Sequence, residues 1–132
     1  MNTSVGIAIN QLEAQLSKKK NGGRADTYVY FGCIKDDVVY IGITKNLLRR
    51  AVEHQITGKC AYIIPINIVP LLRICARGVE QVLIERNRGT FKNKINSISV
   101  FNPWYASATA FGKAYLSVNA VYQTLKCQGK VK

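Results

Sequence analysis

Tyr28, Tyr30, Tyr40, Arg50 and the chain's single histidine, His54, fall in one stretch of the first half of the sequence. Each type has a use in phosphate chemistry. A tyrosine hydroxyl can position a water, or deprotonate it if its pKa falls from the usual value of about 10. A guanidinium can brace a phosphate with two parallel hydrogen bonds. An imidazole, with an unperturbed pKa of about 6.5, can carry a proton at neutral pH. Phosphodiester hydrolysis needs an activated nucleophile, charge stabilisation at phosphorus and a stabilised leaving oxygen. The spacing brings some of these residues together. Tyr28 and Tyr30 share a strand face because side chains alternate. Arg50 and His54 are four apart and lie one above the other on a helix.

The elements that must hold them can be read from the flanking residues. Thr27–Ile34 and Val38–Ile43 are short runs of β-branched and aromatic residues, separated by the turn Lys35-Asp36-Asp37. Such residues pack well on a pleated surface, and Asp tolerates turn geometry, so a β-hairpin is predicted. Asn46 then offers an N-cap, and Leu47, Leu48, Ala51 and Val52 recur at helical spacing. Arg50 and His54 sit at the edge of that apolar stripe.

Around this centre, Val5, Ile9, Leu12 and Leu16 mark a helix over Val5 to Lys20, with Lys18-Lys19-Lys20 suiting its C-terminus and Asn21-Gly22-Gly23 ending it. The basic run and Arg24 read first as solvated charge, with phosphate contact as the alternative. Ala61–Cys75, punctuated by two prolines, is predicted as a third strand through Ile66, Ile68, Leu71, Leu72 and Ile74. Ala76–Arg88 follows as a helix with Val79, Val82, Leu83 and Arg86 in phase and Gly89 as its stop. Asn102-Pro103 suits a helix start, and Trp104, Ala108, Phe111 and Tyr115 form a stripe broken by Gly112. The tail from Gln123, with Lys126, Lys130 and Lys132, is expected to fray. The predicted fold is a small α+β domain, a three-stranded, mostly antiparallel sheet flanked by helices. Residues 1–26 form an N-terminal helix and linker, 27–100 the core, and 101–132 a C-terminal helix and basic tail, all in one domain.

A chain of 132 residues suits one core. Its net charge of +12 points to a polyanionic partner, and nucleic acid is the default because each neutralised phosphate releases a counterion. An anionic membrane or an acidic protein would also fit that charge. Cys33, Cys60, Cys75 and Cys127 show no Cys-x-x-Cys spacing, which argues against a structural zinc site. Cys33 and Cys75 read as small core residues, and the disulfide state is left open. No basic and apolar leader is seen at the N-terminus, and Pro65, Asn67 and Pro70 interrupt the longest apolar stretch, so no membrane span is expected.

The hairpin and helix resemble the core of the GIY-YIG nuclease superfamily. Tyr28-Val29-Tyr30 stands as a degenerate first motif, Tyr40-Ile41-Gly42 is a literal second, and Ile43 to Arg50 with His54 continues the pattern. The resemblance covers roughly Thr27 to Asn96. It implies that Tyr30 (or Tyr28), Tyr40, Arg50 and His54 are catalytic, and that Glu80, ahead of Leu83-Ile84, anchors one divalent metal ion, with Mg2+ the natural choice. Without it, Glu80 would read as a surface residue paired with a basic neighbour, while Glu85 faces elsewhere. The family's closing Asn maps to Asn93 or Asn96, both of which also read as turn residues. Lys45, Arg49, Lys92 and Lys94 are the expected nucleic-acid contacts. The string from Val79 through Asn93-Lys94-Ile95-Asn96-Ser97-Ile98 further resembles nuclease tips of bacterial polymorphic toxins, including contact-dependent growth inhibition systems. That likeness implies RNA, with tRNA as the first candidate, as substrate, an acidic immunity protein as partner, and delivery from a producer cell's surface within a larger secreted protein to a target-cell cytoplasm. DNA cleavage of the repair or homing type, a non-catalytic nucleic-acid-binding module and an interaction protein are the other readings; outside the toxin reading the chain would be cytoplasmic.

Overall fold

Every other strand among the described residues pairs with one strand, β1 (Ala25–Ile34), whose two faces carry different chemistry. Thr27, Val29, Phe31 and Cys33 alternate onto one side and are all fully buried. Tyr28, Tyr30 and Gly32 alternate onto the other. The structure, a computed structural model, describes residues 3–19, 24–92 and 96–119. The expected stop at Asn21-Gly22-Gly23, the basic tail, Asn93 and Lys94 lie outside them.

β2 (Asp37–Thr44) returns antiparallel to β1, as the two runs predict. Lys35 takes a positive φ of 54° in the turn. Directly paired residues share a face, so Tyr28, Tyr30 and Gly32 meet Thr44, Gly42 and Tyr40, while Val29 and Phe31 meet Ile43 and Ile41.

The single third strand is not formed. β3 (Tyr62–Pro65) and β4 (Leu71–Leu72) pair antiparallel with different parts of β1, giving four strands among the described residues. Asn67 explains how the gap is tolerated. Its buried side-chain amide accepts from Val29 N–H at 2.8 Å and donates to Thr27 C=O at 3.2 Å. One amide thus satisfies two ladder groups that a continuous strand would have served, so neither is left buried and unpaired. Ile68 and Val69, expected in a strand, are instead exposed on the excursion. Ile74 and Cys75 belong to the next helix, which begins at Arg73 rather than Ala76.

The apolar face of the sheet packs on α3 (Arg73–Arg86), α3 packs on α4 (Tyr105–Val118), and α4 packs on α1 (Thr3–Lys19). Phe31, Val79, Leu83, Phe111 and Leu116 meet in one core, where each side chain contributes about 1.5–3 kcal/mol over its exposed state. Gly112, which breaks the α4 stripe, lies where the helices touch. A Cβ on Gly112 would sit 2.4 Å from Gly78 O, and one on Gly78 would sit 2.0 Å from Ala108 O. Backbone meets backbone there. Asn102 does not cap α4 as expected: the helix begins at Tyr105 with Trp104 at its N-cap position, and Asn102 Oδ1 accepts from Trp104 N–H at 2.8 Å in the turn before it.

Candidate active site on the tyrosine face of the hairpin

The polar face of the hairpin is covered by α2 (Leu47–Thr57). Asn46 caps this helix through Oδ1, which accepts from Arg49 N–H at 3.0 Å. Its inward face differs from the one the apolar stripe predicts. Leu48 is 78% exposed, Ile56 80% and Val52 47%, whereas His54 is 5% exposed. The helix turns an imidazole inward and an apolar row outward because the surface beneath it carries tyrosines.

Tyr30 reaches His54 across a glycine. Tyr30 and Gly42 are direct cross-strand partners. A Cβ at Gly42 would stand 2.4 Å from the Tyr30 hydroxyl and 2.5 Å from its ring, so only glycine leaves this path open. The hydroxyl then lies 2.7 Å from His54 Nε2 in a buried hydrogen bond. Tyr40 completes the cluster, with ring centroids 6.3 Å from Tyr30 and 5.6 Å from His54, the latter edge-on.

Two cations close the arrangement. Gly58 ends α2 in the left-handed conformation, and Lys59 N–H bonds back to His54 C=O at 3.0 Å. That turn carries Lys59 Nζ to 3.8 Å from the centre of the Tyr40 ring. Arg50, one turn before His54, has its Nε–H buried with no hydrogen-bond partner among the described residues. A buried donor left unmade costs about 1–3 kcal/mol, so this atom is primed for an acceptor.

The field follows from burial and these cations. Burial pushes the Tyr30 hydroxyl well up, Tyr40 adds to it, and Arg50 opposes it only in part. Tyr30 therefore keeps its proton. Burial, then Lys59 and Arg50, lower the His54 pKa against a smaller opposing pull from Glu53, so the ring is neutral at pH 7. With both groups neutral, the Tyr30 O–H donates to Nε2 in the tautomer that carries its proton on Nδ1. The lowered pKa that would let a tyrosine deprotonate water is thus not found at Tyr30, where burial outweighs Arg50.

Glu80 projects from α3 and is 8% exposed. Burial raises its pKa; a hydrogen bond from Ser97, then Arg77 and Arg73, pull the other way. Ser97 is fixed by its neighbours, since Arg77 donates to its carbonyl at 2.5 Å and Ile98 N–H donates to Gln81 Oε1 at 3.1 Å. Glu80 is therefore not the surface residue of the plain reading. Its charge reaches Tyr30 as a small upward contribution to that hydroxyl. Glu85 is engaged elsewhere, by Tyr105 and by Gln81.

To a divalent cation this donor set offers a single carboxylate, Glu80. Among the described residues no group of three or more His, Cys, Asp and Glu converges. Hard cations of the Mg2+ kind accept one carboxylate when phosphate oxygens and waters fill the other positions. Glu80 must be ionised to serve, which its burial opposes.

Of the residues singled out in the sequence, Tyr30, Tyr40, Arg50 and His54 are brought together, with Glu80 within electrostatic reach. Tyr28 is half-buried two residues away, opposite Thr44. Asn96 accepts from Arg88 at 2.5 Å. Lys45 pairs with Asp26 at 3.7 Å, and Arg49 with Glu53 at 3.4 Å. Lys92 points its amine at Lys59 C=O, 3.5 Å away. Lys59, Ser97 and the spatial role of Gly42 were not anticipated. A lysine directly after a helix-ending glycine was the one sequence sign available for Lys59.

No helix among the described residues is long and apolar enough to cross a membrane. No protein-family model, curated protein or solved structure matches the chain, so what this site does has to follow from its own chemistry.

Proposed function

We propose that the chain is a metal-dependent endonuclease of the GIY-YIG type that hydrolyses phosphodiester bonds. The observation that carries the reading is the unpartnered, buried Nε–H of Arg50 beside a neutral Tyr30–His54 pair. A phosphate oxygen is the acceptor that such a donor lacks, and a net charge of +12 draws the polyanion to it.

In this scheme Arg50 holds a non-bridging oxygen, with Lys59 adding positive potential. The half-buried Tyr40 orients the attacking water. The water's proton passes towards His54 Nε2 through the Tyr30 hydroxyl, which takes one proton and releases another. Attack at phosphorus breaks the bond to the leaving oxygen, which takes a proton from solvent water, and the protonated His54 returns its own to solvent. A divalent cation at Glu80 would supply charge neutralisation at that leaving oxygen. Every other task belongs to residues of this chain.

RNA, with tRNA foremost, is the proposed substrate, in a toxin that a dedicated acidic immunity protein holds in check. This part rests on the toxin-like string from Val79 to Ile98. DNA is the alternative that the same assay decides. Titrating Mg2+ into the chain with mixed RNA and DNA should produce metal-dependent cleavage of one of them, lost in Glu80→Gln. Intact RNA and DNA at saturating metal, with a folded protein, would overturn the reading.

A further inference from the structure

Lys59 is tied to the tyrosine cluster through its backbone, and its side chain is left without an acid. Its N–H donates to His54 C=O at 3.0 Å, and its own C=O faces the Lys92 amine at 3.5 Å. Lys92 is in turn anchored to the edge of β2, where its N–H donates to Val39 C=O at 2.7 Å, next to Tyr40. Both ammoniums therefore stand on one side of the hairpin, and both bear on the buried Cys60 thiol beneath them. The Lys59 ammonium lies 3.8 Å from the centre of the Tyr40 ring. Among the described residues it has no carboxylate partner; the acids nearest α2 are taken, Asp26 by Lys45 and Glu53 by Arg49.

The charge of Lys59 is felt on both halves of the candidate site. At His54 it follows burial in lowering the pKa; at Glu80, where burial raises the pKa, it joins Ser97, Arg77 and Arg73 in opposing that rise. The ammonium thus stands between the imidazole of α2 and the carboxylate of α3. The buried Arg50 Nε–H, one turn before His54, marks the same cluster as lacking an acceptor. A ring face holds an exposed ammonium weakly, whereas a phosphate oxygen makes a charge-assisted hydrogen bond. The lysine stem is flexible enough to exchange one for the other. We infer that Lys59 is a movable phosphate ligand, whose ammonium rests on Tyr40 in the free protein and swings to a phosphate oxygen when a polynucleotide enters beside Arg50. The move uncovers the ring of the residue that orients the water, so substrate itself would open that side of the site. The choice of phosphate as ligand rests on the proposed function; the movement does not depend on cleavage.

The test follows the lysine side chains of the full chain by NMR, with isotope label at Cε and no divalent metal. In the free protein the Lys59 CεH2 signal should lie upfield of that of Lys113, exposed on α4, because the Tyr40 ring current shields it. Lys59→Arg assigns the signal by its loss, and Tyr40→Leu should return it to the Lys113 position. A short single-stranded oligonucleotide is then added, once as 2′-O-methyl RNA and once as DNA. With whichever binds more tightly, the Lys59 signal should move downfield to the Lys113 position and saturate. Lys59→Gln should weaken that binding about tenfold, because a charge-assisted contact is removed. Lys113→Gln deletes the same charge at a distant exposed position and should change it by less than about twofold. An upfield signal that persists at saturation would make Lys59 a fixed clasp on Tyr40 and overturn the inference. So would a free protein without the upfield signal, equal losses in Lys59→Gln and Lys113→Gln, or no saturable binding of either oligonucleotide. A chain that shows the movement yet cleaves neither RNA nor DNA with Mg2+ would overturn the proposed function alone.

Discussion

The two faces of β1 are built from adjacent residues and obey different rules. On one, Val29 and Phe31 are fully buried in the core, and neither side chain carries a polar group to satisfy. On the other, Tyr30 is also buried, at 1% exposure, but its hydroxyl must be answered, and it is answered by a histidine brought in from a helix. The core face is specified by volume. The tyrosine face is specified by hydrogen bonds and by an absent side chain at Gly42. Damage to the first should appear as lost stability, and damage to the second as lost activity in a folded protein.

The sharpest contrast sets Phe31→Ala against His54→Ala. Phe31→Ala should cost about 3–5 kcal/mol, a large share of the stability of a small domain, measured by urea unfolding. His54→Ala and Arg50→Ala should instead lower cleavage by about 10²–10⁴-fold with a cooperative unfolding transition retained. If His54→Ala unfolds the chain while Phe31→Ala is mild, the division between the faces is wrong.

Gly42→Ala tests whether the absent side chain matters. The new methyl collides with Tyr30, a steric insertion of the kind that costs about 1–3 kcal/mol, and it should dislodge the hydroxyl from His54. Cleavage should fall to the level of Tyr30→Phe, and Tyr30→Phe should lose more than Tyr28→Phe. A fully active Gly42→Ala would show that the Tyr30–His54 bond is dispensable.

The next effect is a pH dependence. His54 has a lowered folded pKa, so the unfolded chain takes up its proton first on acidification. The stability it contributes is complete above about pH 6.5 and is lost as pH falls towards the folded value. Cleavage should have an acid limb in the same window, absent in His54→Gln if residual activity can be measured.

Glu80→Gln should give the smallest change in stability, and in the unusual direction. A carboxylate whose folded pKa is raised destabilises the fold once pH has risen through that value, so at neutral pH its neutral isostere should raise Tm. Cleavage should vanish in the same protein. A lowered Tm would mean that the contacts with Ser97 and Arg77 outweigh burial, and that Glu80 is structural.

The sequence reveals most where local chemistry decides the outcome. The hairpin follows from two β-branched runs around Asp36, and α2 begins where Asn46 can cap it. Tyr30 and His54 can be named as candidates because strand and helix periods place them on defined faces. Their meeting cannot be, since it depends on Gly42 leaving room across the sheet. The division of Ala61–Cys75 into two short strands is likewise hidden. It depends on Asn67 supplying side-chain bonds to Val29 and Thr27, distant in sequence. The orientation of α2 is partly misread because an apolar stripe ordinarily marks the buried side, and here Leu47 and Ala51 are half-buried while Leu48 and Val52 face solvent.

The bare seam between α3 and α4 has a mechanical consequence. With Gly78 and Gly112 in backbone contact, no side chain there can yield, and the two helices must travel as one girder. Glu80 is two residues beyond that seam and moves with the girder, whereas Tyr30, Tyr40, Arg50 and His54 ride on the hairpin and α2. The candidate site is thus mounted on two chassis, and a small slip between them would retune the gap from carboxylate to tyrosines without breaking a bond within either.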